Sequence, residues 1–194
     1  MNNKRFVKKL MQLVAVQSES HNTDDMQKQI TKIVQSISGC IISRDDYGNI
    51  YVTKGVSTTY PTMVCHIDTV HSIVKGVIKP INIDGNIVAF SKEKMEQVGT
   101  GGDDKVGIHI TLELLKKHDV MKAVFFLDEE VGCLGSSKAD FGFFDNSRYV
   151  LECDRRGYGD FVNEISGIKL TNKKFEKAIK NTLSSYGFTL SSGG

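Results

Sequence analysis

Asp128, Glu129 and Glu130 stand in a row directly after the apolar run 124–127, and Gly132 follows two residues later. Three carboxylates this close either raise one another's pKa or gather around a cation. A solvated turn that keeps them apart is the other arrangement open to them. Three further sets of ligand-type residues occur along the chain. His66-x-Asp68 follows the apolar stretch 62–65; a neutral imidazole is a common metal ligand, and an acid two residues on can orient it. An isolated His-x-Asp pair can equally be incidental. Gly101-Gly102-Asp103-Asp104-Lys105-x-Gly107 brings two acids to a loop–helix junction, where an Asp also serves as a helix N-cap. Asp154 closes the segment Val150-Leu151-Glu152-Cys153, where a strand-ending turn would use it as well. The chemistry shared by the four sets is coordination of a cation by imidazole and carboxylate oxygens.

The elements that must place these residues follow from apolar periodicity. The run 122–127 is short, continuous and bounded by polar and Gly residues, which predicts a strand buried on both faces. Ligands of α/β proteins bind at the carboxyl ends of such strands. Residues 61–67 and 148–153 read as strands too, ending at His66-x-Asp68 and at Asp154. Helical spacing predicts helices over 4–16 (Phe6, Leu10, Leu13, Val14) and 24–38 (Met26, Ile30, Ile33, Val34, Ile37), the second stopped by Gly39. A third helix leaves the Gly-rich stretch 98–107 and runs to 117 with Val106, Ile110, Leu114 and Leu115 as its core stripe. A fourth, 172–186, carries Phe175, Ala178, Ile179 and Leu183 and stops at Gly187. Residues 18–25 are turn-like. Strand pairs 41–44/49–54 and 75–83/86–91 flank the turns 45–48 and Asp84-Gly85. Residues 134–140 are a short helical segment or loop, and 188–190 starts a strand. Strands alternating with helices predict an α/β fold of three layers with a central mixed, mainly parallel sheet.

Composition narrows the function class. The 194 residues are 40% hydrophobic and 25% charged, the balance of a globular chain able to bury a core. A net charge of +2 with scattered Lys and Arg gives no basic run to neutralise phosphates, so no nucleic-acid partner is expected. No stretch is long enough to span a membrane, and the Lys-interrupted N-terminal segment reads as an amphipathic helix rather than an export signal. Cys40, Cys65, Cys133 and Cys153 form no CxxC pair, so free thiols in a cytoplasmic protein are expected, with Cys65 and Cys153 as small core residues. The Gly-rich loop lacks a GxxxxGK[ST] pattern and puts acids where a phosphate would sit, which argues against phosphate binding.

Taken in order, the stretches CHIDTV (65–70), GTGGDDKVG (99–107), FFLDEEVGCLGS (125–136) and LECDRRG (151–157) resemble the co-catalytic zinc aminopeptidases of the M20, M28 and M42 families. They are most similar to peptidase T-like tripeptidases. The resemblance extends over residues 1–194 and implies a single metallopeptidase-like catalytic domain. It implies that His66 and Asp154 bind one metal, that Asp103 bridges two, and that Glu130 binds the second. Glu129 would be the general base and Asp68 the residue that orients His66. The ion would be Zn2+, with Co2+ or Mn2+ as alternatives, and the substrate a short peptide that loses its N-terminal residue. A metal-acidified water has a pKa of about 7, so a neighbouring carboxylate can take its proton at neutral pH.

The resemblance also creates two expectations that the residues do not meet. The family places a late His on the second metal, but the histidines here are His21, His66, His71, His109 and His118, all before Asp154. M20 enzymes insert a lid domain after the Asp154 position, whereas residues 157–171 lead straight to the last predicted helix. A C-terminally truncated catalytic domain without a lid is therefore expected. An amide deacylase on the same scaffold, or a metal-binding member without turnover, are the alternatives to a peptidase. Arg155 and Arg156 are either solvated charges or contacts for a substrate carboxylate.

Overall fold

A computed structural model describes residues 3–157 and 159–193. In chain order its elements are α1 (Asn3–Val14), α2 (Asp24–Gln35), β1 (Cys40–Arg44), β2 (Ile50–Lys54), β3 (Tyr60–His66), β4 (Ile78–Ile83), β5 (Asn86–Ser91), β6 (Glu96–Val98), α3 (Gly102–Lys117), β7 (Met121–Phe126), α4 (Leu134–Ser137), β8 (Ser147–Glu152), β9 (Asp160–Ile165), β10 (Ile168–Lys169), α5 (Lys173–Ser185) and β11 (Thr189–Gly193). They form two compact units, Met1–Asp154 and Arg155–Gly194. Among the described residues no helix is long and apolar enough to cross a membrane.

The first unit is built on a five-stranded sheet of order β1-β2-β7-β3-β8. β2 runs against both its neighbours, while β7, β3 and β8 are mutually parallel. Four of the five strands therefore point the same way, and the sheet is mixed and mainly parallel, as expected. All six residues of the middle strand β7 are buried, because the sheet is covered on both sides. Alternation along the strands sorts their side chains between two cores. Ala123 and Phe125 join Met26, Ile30 and Val34 of α2 and Ile108, Leu112 and Leu115 of α3 on one face. Val124 and Phe126 join Tyr51, Val64, Phe143 and Phe144 on the other. Lys122, in phase with Val124 and Phe126, lies buried on that second face, where its ammonium donates to Phe143 O and Asn146 Oδ1.

A smaller antiparallel sheet, β4-β5-β6, packs its Ile78 and Ala89 against Val14 of α1. Its Asp84-Gly85 turn has φ of 50° and 90°, the doubly left-handed backbone for which Asp-Gly is the favoured hairpin pair. The second unit is the three-stranded sheet β10-β9-β11 with α5. β9 and β11 are parallel, and Asn172 Oδ1 caps α5 by accepting from Phe175 N at 2.9 Å.

Three details differ from the sequence reading. The core stripe of α3 is Ile108, Leu112 and Leu115, while Val106 is 37% exposed and Ile110 and Leu114 are half-buried. Six apolar residues crowd this helix between positions 106 and 115, so periodicity leaves its phase open. Cys153 is exposed rather than a core residue, because it lies past the end of β8; Cys65 is buried as expected, and all four thiols are free. β9 and β10 form a hairpin across Ser166 and Gly167, both with positive φ, in a segment expected to be a plain connection.

Candidate metal centre

Three adjacent parallel strands end at one place. His66 is the last residue of β3, the 128–130 turn follows β7, and Asp154 lies two residues beyond β8. His66 pairs with Phe126 across the sheet, and Val64 pairs with Glu152, so the three strand ends lie level. Asp103 is delivered to the same place by the start of α3.

His66 Nε2 lies 2.8 Å from Asp103 Oδ1, 3.7 Å from Asp154 Oδ2 and 4.0 Å from Glu129 Oε2. One ligand atom from each of His66, Asp103 and Glu130 falls within 4.8 Å of the others. His66 is buried, Asp103 is largely exposed, and Glu130 is half-buried, so the cluster opens outward from a buried imidazole. On the other side of the ring, Nδ1 is 3.4 Å from Asp68 Oδ1 without a well-aligned hydrogen bond.

Asp68 is fully buried and ties the strand ends together. It accepts from Ser20 Oγ at 2.7 Å, from Glu129 N at 2.9 Å and from Glu130 N at 3.2 Å. Burial opposes its charge, but His66, Ser20 and these two amides outweigh burial and hold its carboxyl at about 2. It is an anion that holds the backbone of the acidic turn and faces the His66 imidazole.

The turn itself is set by Asp128, which is buried and left-handed with φ 54°, a backbone that Asp tolerates better than most residues. Its carboxylate accepts from His21 N at 2.7 Å and Tyr47 OH at 2.8 Å, and Oδ2 lies 3.0 Å from His21 Nδ1. Behind the turn, Leu127 N donates to Asn49 Oδ1 at 3.0 Å and Asn49 Nδ2 donates to Gly135 O at 2.9 Å. Gly135 has no room for a side chain there, since a Cβ would lie 2.2 Å from Leu127 O.

The two acids at the start of α3 divide their work. Asp104 is buried, and its Oδ1 accepts from Gly107 N at 2.9 Å, which is the bond of an N-cap. Asp103, joined to it by a cis peptide bond, departs from helical geometry and meets His66 instead. The cap role that the sequence left open for the pair thus falls to Asp104.

Electrostatics around His66 calls for positive charge. Burial lowers the imidazole's pKa, but Asp68 and Asp103 outweigh burial and raise it to about 10. Burial and then Asp103 push Asp154 up to about 6 and Glu130 above its usual range. Burial pushes Asp104 to about 8, and its Oδ2 has no hydrogen-bond partner. Crowded, partly desolvated carboxylates around one imidazole form a donor set that suits a divalent cation.

All six predicted site residues, His66, Asp68, Asp103, Glu129, Glu130 and Asp154, are brought together. Arg155 donates to Asp160 Oδ2 at 2.9 Å within the second unit. His71 packs its exposed ring on Gly99, and the buried His109 bonds Phe6 O at 3.0 Å. The sequence reading missed Ser20, His21, Tyr47 and Asn49. Ser20 and His21 lie in the turn 18–25, Tyr47 in the turn 45–48 and Asn49 directly after it, and no spacing rule joins these positions to the acidic run.

No protein-family description matches the chain, and no curated protein does. Solved structures do. An aminopeptidase PepT from Bacillus cereus aligns at 25% identity with a TM-score of 0.70, over 85% of this chain and 47% of the other. A tripeptidase from Staphylococcus aureus aligns at 22% identity and a TM-score of 0.69, with the same coverage of 85% and 47%. An aminopeptidase from the archaeon Desulfurococcus kamchatkensis aligns at 17% identity and a TM-score of 0.65, over 98% of this chain and 81% of the other. The chain thus spans about half the length of the first two, and it shares the α/β fold of the catalytic domains of such peptidases.

Proposed function

We propose that this chain is a metal-dependent hydrolase of the aminopeptidase or tripeptidase type, and that residues 1–194 act as one catalytic domain. The observation that carries the reading is the convergence of His66, Asp103 and Glu130 within 4.8 Å at adjacent parallel strand ends, with Asp154 3.7 Å from His66. The likeness to an aminopeptidase PepT and a tripeptidase supports it. His66, Asp103, Glu130 and Asp154 would hold zinc, or cobalt or manganese. Ions held there supply Lewis acidity, acidifying a water and polarising a scissile carbonyl. Asp103, with two oxygens free of any cap, is the residue suited to share between two ions. Glu129 takes the proton of the attacking water and delivers it to the leaving amine. Its amide is fixed by Asp68 while its side chain stays half-exposed and 4.0 Å from His66 Nε2, so it can move a proton without serving as a ligand. Asp68 keeps the imidazole in position.

A second reading, metal binding without turnover, is favoured by one observation. Among the described residues the only group of three ligand-type side chains is His66, Asp103 and Glu130, and no second histidine joins it. Metal content per chain, measured with hydrolysis of trialanine on wild type and Asp103→Ala, separates the two. About two ions per chain with turnover, both lost in Asp103→Ala, is the expected result. One ion without turnover establishes the second reading. No ion after zinc is supplied sinks both.

A further inference from the structure

The turn 19–22 contains more construction than a connection needs. It closes through Asn22 N donating to Glu19 O at 2.8 Å, and Ser20 Oγ reaches Asp68. His21 is left-handed, with φ 63°. That is a backbone which His, like Asp and Asn, adopts more readily than most residues. The anchor of the turn is the His21 N–H, which donates to Asp128 Oδ1 at 2.7 Å. The ring's contact with Asp128 Oδ2, at 3.0 Å, adds a different thing: it fixes the imidazole. A carboxylate only accepts, so in the neutral ring the proton lies on Nδ1 and Nε2 is the acceptor. The side chain is 63% exposed. An oriented acceptor nitrogen therefore stands in solvent, held by the residue next to Glu129.

We propose that His21 is a substrate-binding residue whose Nε2 accepts a hydrogen bond from the α-ammonium of a bound peptide. The proposal rests on the peptidase reading. Two features select the amino end. Nε2 offers a lone pair and no proton, which suits N–H donors. Its surroundings are acidic, with Asp128, Glu129 and Glu130 consecutive on the turn it is bonded to, which repels a substrate carboxylate and attracts an ammonium.

The test is calorimetric titration of trialanine and of N-acetyl-trialanine into the full zinc-loaded chain, with Glu129→Gln to stop turnover. His21 is compared with His21→Gly, which keeps the backbone conformation, and with His21→Asn, which tolerates it but cannot reach past Asp128. The expected result is a roughly fivefold to tenfold rise in Kd for trialanine in both variants, the effect of one lost hydrogen bond, with N-acetyl-trialanine changed less than twofold and zinc content kept. An unchanged Kd for trialanine overturns the proposal. So does an equal weakening of both peptides, the mark of a merely structural role. Failure of the unsubstituted chain to hydrolyse trialanine, with binding and its His21 dependence intact, overturns the peptidase reading alone.

Discussion

Glu129 owes its position to its backbone and not to its side chain. Its amide donates to Asp68 Oδ1 at 2.9 Å, while among the described residues its carboxylate accepts only from Cys133 Sγ at 3.4 Å. Replacement by Gln therefore leaves the turn in place. As the base of the proposed reaction, Glu129→Gln should lower kcat for trialanine by roughly 10² to 10⁴ while zinc per chain and the thermal midpoint stay at wild-type values. Loss of zinc in parallel with kcat would make Glu129 a ligand instead. The acids themselves were legible in the sequence, because the three carboxylates after an apolar run are joined by three further sets of ligand-type residues along the chain. Which of Asp103 and Asp104 meets His66 was legible only by resemblance. The spacing allowed either, and the choice is made by the cap bond from Gly107 N to Asp104 Oδ1. The partners of Asp68 and Asp128 were not legible at all, since a hydrogen bond between residues 107 positions apart leaves no local pattern.

At the level of elements, the parallel strands could be read because burial on both faces leaves a continuous apolar run, as in β7. The phase of α3 could not, because apolar residues line more than its buried face. Two contacts show how elements are locked beneath the site. Gly135→Ala would drive a Cβ to 2.2 Å from Leu127 O and 2.6 Å from Asn49 Oδ1, so the end of β7 and the start of α4 must separate. A loss of about 1–3 kcal/mol is expected from overpacking of this kind, read from urea midpoints. α1 and α3 are clasped by Glu113, which accepts from Lys9 and Lys116 at 2.7 Å each. Burial opposes the charge, but the two ammonium groups outweigh burial and hold the carboxyl at about 2. The folded-state pKa lies below the unfolded one, so this contribution is fully present above the ordinary Glu range and is lost as pH falls toward 2. Glu113→Gln should accordingly be less stable than wild type at pH 6, with the gap narrowing by pH 3. A gap independent of pH would mean that packing, not charge, is what the substitution removes.

Across the whole molecule, burial is unevenly distributed. Every buried core cluster among the described residues lies between Leu13 and Leu127, in the first unit, and α5 has no buried residue. Backbone amides protected by a core exchange last, so native-state hydrogen exchange should release the amides of 176–185 well before those of 108–117 in α3. Equal protection would show that α5 gains its stability from a source other than its own packing. The α/β class and the parallel strand ends were legible in the sequence, whereas the hairpin β9–β10 was not, because its residues are too polar to announce a strand. The order of the strands has a consequence in time. The sheet gathers the proposed ligands from residue 66 to residue 154, so Asp154 is synthesised 88 residues after His66, roughly 4 to 18 s later at ordinary rates of translation. His66, Asp103 and Glu130 come together through β3, α3 and β7, so Asp154 is the last of the proposed ligands to arrive, with β8 beside β3.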